Sequence, residues 1–131
     1  MEAENWSSYF PPEDQVSLPA GEAELKLGTR YTRVTIGYKM FPVVTECEPF
    51  RRLAWSTTVD GDDTGSTAYH GWVITPTDDG CHLLSEETQQ GAWFLEMLGH
   101  KHPGGLFSYH QDWVEGLARA AEEIAAGGTR T

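Results

Sequence analysis

The sequence predicts an α+β fold in which a curved antiparallel meander sheet receives one long C-terminal helix. Three observations lead there. Runs of β-branched and aromatic residues alternate with polar ones between Glu22 and Gln90, separated by Gly- and Asp-containing turns. No long helical period interrupts those runs, so neighbouring strands are joined by hairpins and lie antiparallel. Beyond Pro103-Gly104-Gly105 the period becomes that of a helix and holds through Ala126.

In that last run Ser108, Gln111, Asp112, Glu115, Arg119, Glu122 and Glu123 fall on one side, and Leu106, His110, Trp113, Leu117, Ala120 and Ile124 on the other. Such a stripe is the mark of an amphipathic helix with one buried face. Its bulky residues lie in the N-terminal half, so that half should meet the largest surface of the sheet.

Taken in order, Glu4 to Phe10 reads as a short helix stopped by Pro11-Pro12, because the residue before a proline is pushed out of the helical region. A loop runs to Gly21. Glu22 to Leu27 then alternates Ala23, Leu25 and Leu27 with charged residues, the pattern of a strand with one wet face. Arg30 to Ile36, Met40 to Glu48 and Arg51 to Val59 continue the meander. Asp60 to Gly65 is a turn, Thr67 to Thr75 a strand, Asp78-Asp79-Gly80 a tight hairpin turn and Cys81 to Gln90 the return strand. Ala92 to Leu98 reads as a short helix, with a break over Gly99 to Gly105 before the last helix.

A chain of 131 residues forms a single domain, residues 1–131, large enough to bury its own core. The formal charge of -11 and pI near 4.7 argue against nucleic acid and anionic membrane as partners, since both select basic faces. No stretch approaches the roughly 20 apolar residues of a membrane span. Met1-Glu2-Ala3-Glu4 lacks the basic flank and apolar core of a signal peptide, so the expected location is cytoplasmic. Cys47 and Cys81 are then expected to be reduced and partly buried.

The strand ending in Val44-Thr45-Glu46-Cys47-Glu48-Pro49, the following Arg52-Leu53-Ala54-Trp55, the turn at Asp78-Asp79-Gly80 with its return through Glu86-Glu87-Thr88-Gln89-Gln90-Gly91, and Trp113 to Leu117 on the last helix together resemble the START-like, helix-grip superfamily called SRPBCC. The likeness spans nearly the whole chain and is nearest to the polyketide cyclase/dehydrase-like proteins and the relatives of the heat-shock ATPase activator. It implies a sheet gripping the terminal helix around a hydrophobic cavity for lipids, polyketides or other apolar molecules, with no obligatory cofactor. Such proteins usually begin with a strand ahead of their short helices, and here Met1 stands almost directly before the helical segment. The sheet is therefore expected to be shortened, to close differently, or to have its bare edge covered in a homodimer.

Strand alternation sets His70 and Trp72 on one face, with Glu87 and Gln89 sharing a face of the return strand. With Trp55, Trp113 and Leu106 these residues would give an aromatic cavity carrying a few polar groups, the usual make-up of a small-molecule pocket. His110, inside the apolar stripe, points toward the sheet; in a catalytic form it is the expected proton carrier, with Glu87 or His70 as its opposite number, and otherwise it is a histidine satisfied by a backbone carbonyl or water. Glu86 and Glu87 are adjacent, so only one can enter the cavity.

Asp60, Asp62, Thr64 and Gly65 match the first offsets of a calcium loop, but its last ligand position would be Gly71, and the segment reads as an acidic turn. His100, His102 and His110 do not share a helix face, and no metal set is legible among them. The expected function is binding of a small apolar or aromatic molecule, polyketide- or lipid-like, with cyclase or dehydratase activity as its catalytic form. A non-enzymatic carrier or sensor, and an interaction module like the heat-shock ATPase activators, are the alternatives from other classes.

Overall fold

The computed structural model describes residues 13–127. Six strands lie side by side in chain order, every neighbouring pair antiparallel: β1 (Glu13–Ser17), β2 (Thr32–Thr35), β3 (Tyr38–Glu48), β4 (Arg52–Val59), β5 (Thr67–Thr77) and β6 (Gly80–Gln90). Among the described residues the sheet is curved and open, with β1 and β6 its outermost strands. One helical turn, α1 (Ala92–Phe94), runs into a π-helical segment, Leu95–Lys101, and the chain ends in α2 (Gly105–Ala125). This is the α+β arrangement expected, with the long helix against a meander.

The order of elements departs from expectation at the start. Glu22 to Leu27 is not a strand: its backbone closes on itself through Glu22 N–H to Pro19 O and Thr29 N–H to Lys26 O, and the Thr29 hydroxyl accepts from Lys26 N–H. Of its alternating residues only Leu25 is buried, while Leu27 is 69% exposed. The first strand is instead Glu13–Ser17, a stretch read above as loop; it pairs with β2 through a bulge at Asp14. Pairing decides strand formation here and intrinsic preference does not. The expected helix over 4–10 lies outside the described residues.

Arg30 to Ile36 shortens to β2, preceded by an isolated bridge between Arg30 and Val43. Ile36 and Gly37 form the two-residue turn into β3, both with positive φ (46° and 84°), as such turns require. A bulge at Thr45 keeps Met40, Val44 and Cys47 facing inward along β3. Cys47 is half-buried as expected, whereas Cys81 is exposed.

The helical run after the sheet passes straight through Gly99, where a break was expected. The amide of His102 donates to Met97 O, five residues back, which is the wider π-helical turn. Gly91 starts this segment with φ 110°, and a β-carbon there would stand 2.3 Å from Ser66 Oγ. Ser66 in turn accepts from Trp93 N–H and donates its own amide to Asp62. Asp62 also accepts from the Thr64 amide and hydroxyl, so the acidic turn serves to fix the start of α1.

Two apolar clusters hold the layers together. One joins Leu25, Tyr31, Val44, Leu53, Trp55 and Trp72 of the sheet side to Trp113 of α2, with Val114 and Leu117 packed against it. The other joins Met40, Val59 and Ala68 to Phe94, with Tyr38, Trp93 and Leu98 around them. Trp55 is 1% exposed, and a side chain of that size contributes about 3 kcal/mol by burial. The apolar stripe of α2 fades before its end, because Ile124, expected to face the sheet, is 54% exposed.

Candidate functional site

A hollow of about 80 Å³, open at its mouth, lies where the two clusters meet. Its apolar wall includes Met40, Trp55, Ala68, Phe94, Met97 and Leu106. Three of its polar groups, His70, Glu87 and Gln89, are brought to one pole by strand register. Trp55 on β4 is paired with His70 on β5, and His70 with Glu87 on β6; one step along, Ala68 is paired with Gln89. His110, Trp113 and Leu106 reach the same space from α2.

At that pole the Ser85 hydroxyl stands 2.9 Å from His70 Nε2 and 2.6 Å from His110 Nε2. A hydroxyl has one proton to give and two lone pairs to accept with, so at least one of the two rings carries its proton on Nε2. Ser85 does not line the hollow itself, so it links the two imidazoles and is not presented to a ligand. His70 Nδ1 lies 3.9 Å from Glu87 Oε2, and Gln89 donates to Glu87 Oε1 at 2.7 Å.

His70 is 5% exposed and enclosed by rings: Trp72 stacks on it at 4.9 Å and 25°, and Trp55, Trp113 and His110 have their centroids within 5.0 Å of its own. Burial holds its pKa well below the usual imidazole range, and the charges of Arg33 and His110 act in the same direction. The ring is therefore neutral at pH 7, and its approach to Glu87 is not an ion pair. Burial pushes the Glu87 carboxyl up, against the opposing pull of the Gln89 amide, His110 and Arg33. Arg33 is 5% exposed, with its guanidinium carbon 4.8 Å from the Trp113 ring and 5.5 Å from Trp55.

The structure thus brings His70, Glu87, His110, Gln89, Trp55, Trp113 and Leu106 to one hollow. Trp72 does not line it; the residue lies behind His70 and sets the tilt of that ring. Sequence reading missed two members. Ser85 carries no signal of its own in the sequence, and Arg33 lies in an alternating strand whose inner face the sequence does not fix. His102 lines the mouth, while His100 pairs with Glu96 in solvent, 3.0 Å away. Among the described residues one set of ligating groups is close together: single donor atoms of His70, Glu87 and His110 all lie within 4.8 Å of one another.

The hollow and its pole can do two things chemically. An apolar body can be enclosed by rings and thioethers while one polar group of it meets a neutral imidazole, a second imidazole and a carboxyl. A proton can pass along His110, Ser85 and His70, since each hydrogen bond in that row can reverse its direction. None of the described helices is long and apolar enough to cross a membrane.

No protein-family model matches the chain, and no curated protein matches it in sequence. Solved structures do. The hypothetical protein jhp0584 from Helicobacter pylori is similar over 88% of this chain and 72% of its own, at 25% identity and a TM-score of 0.77. Protein CV1439 from Chromobacterium violaceum is similar over 89% and 86%, at 13% identity and a TM-score of 0.56, a likeness of fold. The chain therefore shares its antiparallel sheet and C-terminal helix with these proteins.

Proposed function

We propose that the hollow binds a small apolar or aromatic molecule, polyketide- or lipid-like in character, and that the row His110, Ser85 and His70 beside Glu87 moves a proton on it. The observation that carries this reading is the pairing of a ring-lined space with a buried, mutually bonded set of ionisable groups at one pole. Buried titratable groups with displaced pKa values gather where chemistry is done. The likeness to polyketide cyclase/dehydrase-like members of the SRPBCC superfamily supports the same reading. Cyclisation or dehydration of a flexible chain gains most from being folded and kept from water, and needs only one or two proton carriers.

In this reading His110 gives or takes the proton, because it lines the hollow and belongs to the half-buried part of the row. His70, neutral and fixed by Trp72, passes it on. Glu87 orients the substrate's polar group or accepts its proton. His110→Ala tests this: turnover should fall by roughly 100-fold or more, the usual contribution of a general acid or base, while ligand affinity stays within about threefold. Equal turnover in the variant would end the catalytic form.

A second reading has one observation in its favour. His110 Nε2 is already bonded to Ser85 at 2.6 Å, so the imidazole is satisfied without a substrate. A carrier or sensor with the same hollow would bind as tightly and show no turnover in either form.

A further inference from the structure

The groups at the pole are also a donor set. We infer that His70, Glu87 and His110 form a site for one divalent transition ion such as zinc or cobalt, open on the side of the hollow. Two imidazoles and one carboxylate are the ligand types such ions take, and three protein ligands with a free position are what a reactive site of this kind offers. The donors come from β5, β6 and α2, so the site is assembled only in the folded chain.

The surroundings are those of a supported site. Ser85 has two lone pairs and can accept Nε2–H from both rings, which leaves Nδ1 of each imidazole as its ligating atom, that of His70 lying beside Glu87 Oε2. Gln89 holds the other carboxylate oxygen, so Oε2 is the one left to bind. Bonds of about 2.0–2.2 Å place neighbouring ligand atoms roughly 3.3 Å apart in a tetrahedral site. His70 Nδ1 and Glu87 Oε2 are 3.9 Å apart, and one donor atom from each of the three residues lies within 4.8 Å of the others, so an ion would draw the set together. Arg33 is the cation that faces the group; its guanidinium lies against the Trp113 and Trp55 rings, and Glu87 supplies the negative charge that offsets an ion.

The inference goes beyond the proton-transfer reading but concerns the same residues, so it is tested by metal binding and not by turnover. It is tested on the full chain, stripped with a chelator and titrated at pH 7.5 with Zn²⁺ by calorimetry and with Co²⁺ by visible absorption. One ion per chain should bind at micromolar or lower concentration, and Co²⁺ should give the intense absorption of low coordination. Glu87→Gln, which keeps shape, and His110→Ala should each weaken binding by about tenfold or more, with His100→Ala unchanged. Absence of binding, or an affinity that Glu87→Gln and His110→Ala leave intact, overturns the site and assigns any bound ion to surface histidines. Ligand binding measured in the presence of chelator is independent of this outcome.

Discussion

At one end of the hollow His70 is clasped by Trp55, Trp72 and Trp113, bonded to Ser85 and set opposite Glu87 by strand register. At the other end the wall is Met40, Phe94, Met97 and Leu98, carried partly by a π-helical segment and held to the sheet by an edge contact of Tyr38 with Trp93 and a 3.7 Å contact of Tyr38 Oη with Met97 Sδ. The first end is made of stiff rings in fixed hydrogen bonds. The second includes two unbranched, polarizable thioethers, Met40 and Met97, which repack easily. In the proposed reading the difference divides the tasks: the pole would fix where a polar group sits, and the methionine wall would adapt to the size of the rest.

Stability should divide the same way. Trp55→Ala removes a ring 1% exposed that touches Tyr31, His70 and Trp113, and is expected to cost about 3–5 kcal/mol in urea unfolding. Met97→Ala, at 6% exposure, should cost about 2–3 kcal/mol, the lower part of the range for such truncations. Equal losses would erase the contrast between a rigid and an adaptable end.

The pole should also govern the pH dependence. The folded pKa of His70 lies below the ~6.5 of a free imidazole, so the unfolded chain takes up a proton and stability falls as pH is lowered through that value. Glu87 acts in the opposite sense. Its folded pKa lies above the ~4.3 of a free carboxyl, so its contribution is complete below that value and is lost as pH rises through the folded pKa. Glu87→Gln removes the opposing part, and the decline in unfolding midpoint between pH 7 and pH 5 should be steeper in the variant. A shallower decline would contradict the buried state of either group.

The smallest effect is expected at the adaptable end. Met97→Leu conserves volume and should change stability by less than about 1.5 kcal/mol, while shifting preference among apolar ligands of different length. A loss as large as that from Met97→Ala would show the wall to be rigid after all.

How far these features were legible in the sequence follows from their physics. The face of α2 carrying Leu106, His110 and Trp113 was legible because helical period is a local property, and the β5–β6 hairpin was legible because Asp78-Asp79-Gly80 fixes its register. Alternation put His70 and Glu87 each on a face of its strand, and their pairing across the hairpin came only from the structure. β1 was not legible: five mostly polar residues become a strand only because β2 lies beside them. Arg33 was not picked out because alternation alone does not say which face of Thr32-Arg33-Val34-Thr35 turns inward. The structure buries Arg33 and Thr35, and the rings of Trp55 and Trp113 cover the guanidinium. Ser85 could not be singled out, since its role exists only where β5, β6 and α2 meet. The π-helical turn was hidden for a similar reason, because its hydrogen bonds widen through the packing of Met97 and not through any residue that breaks a helix.

The central claim is that the space between sheet and helix is built to hold an apolar molecule against an ionisable pole. Native mass spectrometry of the chain purified from its own host tests it most directly. The account predicts a mass excess of one small, extractable apolar molecule per chain, displaced when the hollow is plugged by Ala68→Trp. Bare polypeptide in every charge state, or an adduct that Ala68→Trp leaves in place, would contradict it.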